Sequence, residues 1–136
     1  MQAIYVCTHG KTALEMVKSA EMICGKQKNV GSTFFEVGES IEDLTTRIKV
    51  DLNKLDLTDG ILFLTDIKGG TPFNTIASFL QTYADAYLLA GVNIPILIEL
   101  FIKRTTEKIV FDENFLEDMK NSISKFEIID ANEEEF

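Results

Sequence analysis

Short apolar runs alternate along the chain with longer segments in which apolar residues recur every three or four positions. The apolar runs predict four β-strands, over residues 3–8, 33–37, 60–65 and 86–89. The helical spacing predicts helices over about residues 11–23, 41–55, 71–84 and 114–124, with one more helix opened by residues 91–95. A last strand-like run follows at residues 126–129.

Strands that alternate with helices in this way are typical of an α/β fold with a doubly wound, mostly parallel central sheet. The common strand order 2-1-3-4 puts the first and third strands side by side. In such sheets, ligands bind beyond the carboxyl ends of the strands, where the strand order reverses. The sequence therefore predicts a crevice where the first strand ends, at Thr8, and the third strand ends, at Thr65.

Local signals indicate where three of the helices begin or end. Ser40 and Asp43 resemble a capping box ahead of residue 41, with Asp in place of the usual Glu. Thr71 is expected to cap the third helix, with Pro72 at its first position. Gly25 is expected to end the first helix.

Length and charge narrow the class of protein. The 136 residues match one domain, which we place at residues 1–130, followed by an acidic, solvated tail at 131–136. The net charge of −9 disfavours nucleic acid and anionic lipid, because both recruit Lys and Arg. No apolar run approaches the roughly 20 residues of a membrane helix, and the N-terminus lacks the basic start of a signal peptide. We therefore expect a cytoplasmic protein, without membrane insertion, whose Cys7 and Cys24 are reduced thiols.

His9 and Asp66 are the candidate reactive pair. His9 follows the first strand and Asp66 follows the third, so the predicted topology brings both side chains to one crevice. A carboxylate that accepts the Nδ1 proton of an imidazole leaves the Nε2 lone pair free to attack an electrophile. The same carboxylate stabilises the positive charge that develops on the ring. These residue types favour a nucleophilic histidine with an orienting acid.

The neighbouring residues are suited to hold an anion. Two helices are expected to begin at the crevice, after Gly10 and at Thr71, and their free N–H groups favour a phosphoryl group. We expect Thr71 and the backbone of Gly69 and Gly70 to bind phosphoryl oxygens, and Gly10 to let the chain approach closely. Asn74 is expected to brace the loop.

The remaining expectations concern what the site does without. Lys11 and Lys68 are not assigned to the site, because such lysines are usually solvated. Neither a metal nor a cofactor is expected. Taken singly, a histidine on the surface, an aspartate capping a loop or a Thr-Pro helix start has an ordinary structural explanation. Only the joint pattern supports the chemistry.

The chain resembles the IIA component of the mannose/fructose/sorbose family of the bacterial phosphoenolpyruvate-dependent sugar phosphotransferase system. The resemblance covers nearly the whole chain and rests on Thr8-His9-Gly10, Ala13, the helix end Glu21…Gly25, Asp66-x-x-Gly69-Gly70-Thr71-Pro72-Phe73-Asn74 and Gly91-Val92-Asn93-Ile94-Pro95. Departures are modest, since Thr71 stands where Ser is often found and Lys11 where small or apolar residues are common.

The resemblance implies a phosphotransferase component with a phosphohistidine intermediate at His9. The histidine-containing phosphocarrier protein HPr would load His9, and a IIB component would unload it and serve the membrane permease, IIC and IID. Asp66 matches the family's histidine-orienting aspartate, and Thr71 matches its hydroxyl residue near the phosphoryl group. Because the sequence stops at Phe136, a separate IIB protein is expected.

Members of this family commonly form dimers by exchanging a C-terminal strand. The candidate here is Phe126–Ile129, which would lie antiparallel at an edge of the sheet. The resemblance thus implies a homodimer.

Four alternatives stay open at this point. A receiver-type domain phosphorylated on Asp66 would need acidic residues after the first strand, where Thr8-His9-Gly10 stands. The phosphoryl-donor subunit of a dihydroxyacetone kinase would have the same site and another acceptor. A phosphorylation-sensing regulatory domain is disfavoured by the length of the chain. A hydrolase built on Cys7 and His9 would need an exposed thiol, whereas Cys7 is expected inside a strand.

Overall fold

The computed structural model describes residues 1–129, so the predicted tail at 131–136 lies outside the described range. Within it the elements are β1 (Ala3–His9), α1 (Thr12–Cys24), β2 (Val30–Phe35), α2 (Ile41–Leu52), β3 (Ile61–Thr65), α3 (Thr71–Phe79), a 3-10 turn (Leu80–Thr82), β4 (Ala86–Ala90), α4 (Ile94–Lys103) and α5 (Glu113–Lys120).

The four strands form a parallel sheet in the order β2-β1-β3-β4. In the register of this sheet, Cys7 of β1 lies between Thr33 of β2 and Thr65 of β3. The predicted α/β class, parallel sheet and strand order are confirmed. All four strands end at the same edge of the sheet, so the loops after β1, β2 and β3 are neighbours there.

Both faces of the sheet are covered, and each cover forms its own apolar core. Alternate residues of β1 point to opposite faces, because side chains alternate along a strand. Ile4 and Val6 pack with apolar residues of α1 and α4, whereas Tyr5 and Cys7 pack with those of α2 and α3. Burial on two faces explains why β1 and β3 are almost wholly apolar in sequence.

Several element boundaries differ from the predicted ones. β2 begins at Val30 and ends at Phe35, because the polar Gly31-Ser32 segment pairs with β1 without giving an apolar pattern. α2 ends at Leu52, α3 gives way after Phe79 to the 3-10 turn, and α5 is confined to Glu113–Lys120.

The capping signals had mixed outcomes. The capping box is confirmed: the Ser40 Oγ accepts the Asp43 N–H at 3.0 Å, and the Asp43 carboxylate accepts the Ser40 N–H at 3.2 Å. Gly25 ends α1 as expected, with a φ of +87°. The prediction that Thr71 caps α3 is wrong, because Gly70 is the N-cap residue and Thr71 already belongs to the helix.

The run Phe126–Ile129 forms no strand in the described part of the single chain. Phe126 and Ile128 are largely exposed, at 86% and 89% of their surface. A strand needs a neighbour for its backbone hydrogen bonds, and within residues 1–129 of one chain the run has none. Its exchange between two chains stays a prediction.

A buried arginine fixes the opposite end of the sheet. Arg104, at the end of α4, is only 3% exposed. Its guanidinium donates to the carbonyl oxygens of Gln2, Lys28 and Asn29 over 2.6–3.2 Å. Burial lowers the pKa of Arg104. The side chain therefore ties α4 to the residues that precede β1 and β2.

Replacing Ser40 by Ala is expected to lower the free energy of unfolding by about 1 kcal/mol, because the Asp43 N–H at the start of α2 loses the Ser40 Oγ that accepts its hydrogen bond. Urea denaturation measures the change. Thr46→Ala, at an exposed position of the same helix, is the matched control and is expected to stay within about 0.5 kcal/mol of the parent. Equal stability of the Ser40 variant and the parent would contradict the role given to the capping box.

Candidate functional site

His9 and Asp66 meet at the edge of the sheet where the strands end. His9 is the last residue of β1, and Asp66 directly follows β3. The His9 Nδ1 lies 2.8 Å from the Asp66 Oδ2, and the His9 backbone N–H donates to that oxygen at 3.0 Å. The Ile67 N–H donates to the other carboxylate oxygen at 3.0 Å. Adjacent parallel strands thus bring together two residues 57 positions apart.

The electrostatics of the pair decide which ring nitrogen carries the proton. Burial raises the pKa of Asp66, but hydrogen bonds from the ring and backbone of His9 and from Ile67 outweigh this, so the pKa is lowered. Asp66 is therefore ionised at neutral pH, and an ionised carboxylate only accepts hydrogen bonds. An acceptor at Nδ1 favours the tautomer that carries its proton there, in which Nε2 keeps its lone pair. The imidazole side chain is 45% exposed, so an incoming group can reach it.

The imidazole ring is confined by a glycine and a phenylalanine. A Cβ on Gly70 would lie 2.9 Å from the His9 Cε1 and 3.7 Å from Nε2, so any side chain there would press on the ring. The Phe35 ring stands nearly perpendicular to the imidazole, with centroids 6.2 Å apart. Phe35 was missed by the sequence analysis, although the register of two paired parallel strands puts it directly beside His9.

The loop after β3 uses two of its backbone N–H groups, those of Ile67 and Gly70, in hydrogen bonds of its own. The Gly70 N–H donates to the Ile67 carbonyl at 3.1 Å, which corrects the expectation that this amide is free for a phosphoryl group. The Thr71 N–H has no bonded partner among residues 1–129. The Asn74 side chain donates to the Gly69 carbonyl at 2.9 Å, which is the bracing contact expected of it.

Gly10 takes a conformation that suits glycine. Its φ is +59°, and apart from its two chain neighbours no residue of the described chain has a heavy atom within 4 Å of where a Cβ would stand. The left-handed backbone, and not close approach of the described chain, explains a glycine at this position. Its N–H donates to the Phe35 carbonyl at 2.8 Å, which joins the ends of β1 and β2.

The sequence analysis names Thr8 as part of a motif but missed its structural role. Its buried hydroxyl accepts the Ala13 N–H at 2.7 Å and donates to the Gly10 carbonyl at 3.2 Å. Thr8 therefore fixes the turn between His9 and α1. A hydroxyl residue five positions before the first core residue of a helix could have signalled this role.

The other candidate side chains do not join the pair. Lys68 is exposed, and the Lys11 Nζ lies 5.9 Å from the centre of the Phe34 ring. Cys7 is fully buried, and burial raises the pKa of its thiol to about 12. A protonated, inaccessible thiol is no nucleophile, so the Cys7–His9 hydrolase is not supported.

With this geometry in place, the comparisons with known proteins define the class. The family described as "PTS system fructose IIA component" matches residues 3–120. This chain therefore belongs to the mannose-type IIA components of the phosphotransferase system. The resemblance inferred from the motifs is confirmed. Among residues 1–129, no helix combines the length and apolar character needed to cross a membrane.

Two relatives illustrate the similarity. The mannose-specific EIIAB component of Escherichia coli (strain K12) is 42% identical over 111 residues, which are 82% of this chain and 34% of that protein. The chain thus spans about a third of that relative. The fructose-specific EIIA component of Bacillus subtilis (strain 168) is 35% identical over 104 residues, which are 76% of this chain and 71% of the relative.

A solved structure shows the same architecture. The phosphotransferase system component EIIA from Streptococcus agalactiae superposes with a TM-score of 0.79 at 29% sequence identity. The match covers 92% of this chain and 97% of the other. The order of strands and helices found here is therefore that of a known IIA structure.

Gly70→Ala is expected to displace the His9 ring, because the φ of −73° at Gly70 is allowed for alanine while its methyl group would lie 2.9 Å from the His9 Cε1 and 3.3 Å from the Ile67 carbonyl oxygen. The chain has one histidine, so its imidazole NMR signals report this site alone. Lys68→Ala in the same loop is the control and should leave those signals in place. Unmoved His9 signals in the Gly70 variant would disprove the contact.

Proposed function

We propose that this protein is a phosphocarrier that accepts a phosphoryl group on the Nε2 of His9 from phospho-HPr and donates it to a IIB component. The observation that carries the proposal is the hydrogen bond of 2.8 Å between the His9 Nδ1 and the Asp66 carboxylate. It leaves Nε2 as the free nucleophile on a partly exposed ring. Membership of the IIA family supports this role over the kinase-subunit and regulatory-domain alternatives.

The transfer step follows from the chemistry of the pair. The Nε2 lone pair attacks phosphorus, a new N–P bond forms, and the P–N bond to the donor's phosphohistidine breaks, so that its electron pair returns to the donor ring. The Asp66 carboxylate accepts the hydrogen bond from the Nδ1–H of His9 throughout the step. It thereby stabilises the positive charge that develops on the ring. The reverse sequence, with a IIB acceptor, discharges His9.

The phosphoryl oxygens are assigned to the groups around the start of α3. The N–H and hydroxyl of Thr71 donate to them, and the positive end of the helix dipole favours their charge. The Gly69 N–H is a further donor. Gly70 contributes by its missing side chain, since a Cβ would crowd the imidazole. Gly10 and Asn74 support the two loops.

The carrier role also assigns partners. HPr and a IIB component would meet the exposed face of His9, and the IIB component would pass the group on to a sugar taken up through the IIC and IID permease. Such traffic takes place in the cytoplasm. We further propose a homodimer, in which the exposed apolar residues of Phe126–Ile129 pair with a second chain.

The histidine is tested by replacing it. Incubated with phosphoenolpyruvate, enzyme I and HPr, the parent protein is expected to take up one phosphoryl group that is lost in acid and kept in base. His9→Gln should take up none, because the chain has no other histidine. Phosphorylation of this variant, or a base-labile phosphate in the parent, would reject the assignment.

Asp66→Ala is expected to fold normally and to slow phosphoryl transfer by roughly 10²-fold or more, the scale of lost acid–base assistance. Quenched-flow measurement of phosphorylated protein gives the rate. Asp59→Ala removes the same charge near the N-terminal end of the sheet, where Asp59 pairs with the Met1 amine, and serves as the control. If both variants transfer at the parent's rate, Asp66 has no part in the step.

A further inference from the structure

Arg47 of α2 holds the end of β2 through its whole guanidinium group. Its Nε donates to the Thr33 hydroxyl at 2.9 Å, and its Nη2 donates to the Phe34 carbonyl at 2.6 Å. Nη1 and Nη2 also form a two-pronged contact with the Glu39 carboxylate, at 2.6 and 2.9 Å. The group lies 5.2 Å from the centre of the Phe34 ring. One side chain thus binds a strand and the loop that follows it.

The strand end that Arg47 holds needs such support. Among residues 1–129, β2 is an edge strand that pairs with β1 alone. Beyond Phe35 the chain leaves the sheet, and Val37 is fully exposed. The loop is closed by Glu39, whose carboxylate accepts the Glu36 N–H at 2.8 Å and the two Arg47 bonds. The pairing with Arg47 and Glu36 lowers the pKa of Glu39, so the loop keeps its anion.

The end of β2 is linked to the His9 imidazole through Phe35. Phe35 follows the residue whose carbonyl Arg47 binds, and it is the register partner of His9. The Phe35 carbonyl accepts the Gly10 N–H, and its ring stands 6.2 Å from the imidazole, centre to centre. Any movement of the end of β2 therefore moves a wall of the His9 site.

We propose that Arg47 is a positioning residue for phosphoryl transfer, which fixes the end of β2 so that Phe35 holds the His9 imidazole in line with Asp66. This inference rests on the proposed phosphocarrier function. Arg47 has no hydrogen bond to His9 or Asp66, so it acts through Phe35. Arginine is required because lysine can keep the charge contact to Glu39 but cannot also reach Thr33 and Phe34 with fixed donors.

The first test replaces Arg47 by Met, which keeps the length of the stem and removes the donors. The His9 imidazole NMR signals are expected to move, because the ring current of Phe35 acts on them at short range. The transfer rate at saturating HPr should fall on the order of tenfold, with little change in the KM for HPr, since misplacement of reacting atoms slows the chemical step. The transfer rate of Arg47→Lys should lie between the rates of Arg47→Met and the parent.

Phe35→Leu provides a second route to the same answer if Arg47→Met folds poorly. Its His9 signals should also move and its rate should also fall. The double variant should be no slower than Phe35→Leu alone, because Arg47 acts through the missing ring. Lys120→Met, which removes an exposed cation paired with Glu117 on α5, is the matched control and should leave both readouts unchanged.

Three outcomes would overturn the inference. Unmoved His9 signals in a folded Arg47→Met protein would show that loss of the Arg47 contacts does not displace the imidazole. A rise in KM alone would make Arg47 a docking residue for HPr. Additive losses in the double variant would separate Arg47 from Phe35. The NMR measurement does not require phosphoryl transfer. It therefore tests whether Arg47 positions the His9 imidazole even if the parent protein is not phosphorylated and the proposed function is wrong.

Discussion

The structure depends above all on the rule that parallel strands end at one edge of their sheet. That rule allows a carboxylate after β3 to meet an imidazole at the end of β1, across 57 residues of chain. Cys7 of β1 pairs with Thr65 of β3, and this is the last pair before the site. The register therefore sets the distance between the His9 and Asp66 side chains. A slip of one residue would turn the His9 side chain to the opposite face of the sheet.

The carboxylate is held as firmly as the ring that it orients. Asp66 accepts three hydrogen bonds, two from His9 and one from Ile67. Its own carbonyl accepts the Gly91 N–H at 3.0 Å, which fastens it to the loop between β4 and α4. Orientation of the imidazole therefore draws on the stability of the whole sheet and not on a flexible loop. This preorganisation lets one hydrogen bond fix the tautomer.

The sequence predicted the structure best where burial requires a clear apolar pattern. Strands covered on two faces are apolar throughout, so β1 and β3 and the residues at their ends could be predicted, and the His9–Asp66 contact followed from topology. The start of β2 was missed because Gly31 and Ser32 interrupt the apolar pattern although they pair with β1. The role of Phe35 depends on the pairing of two strands and that of Thr8 on a hydrogen bond to the start of α1, so neither role follows from the apolar pattern. Gly70 was noticed for its amide, whereas the space beside the imidazole explains it better.

The unequal burial of the two cysteines has a practical consequence. Cys7 is sealed inside β1, while Cys24 lies half-buried at the end of α1, its Sγ 3.1 Å from the Ala20 carbonyl. A maleimide dye would therefore attach at Cys24 alone. A helix of 13 residues, roughly 20 Å long, separates that point from the turn after His9. The unaltered chain thus offers a single labelling position for fluorescence studies of its encounters, well away from the reactive ring.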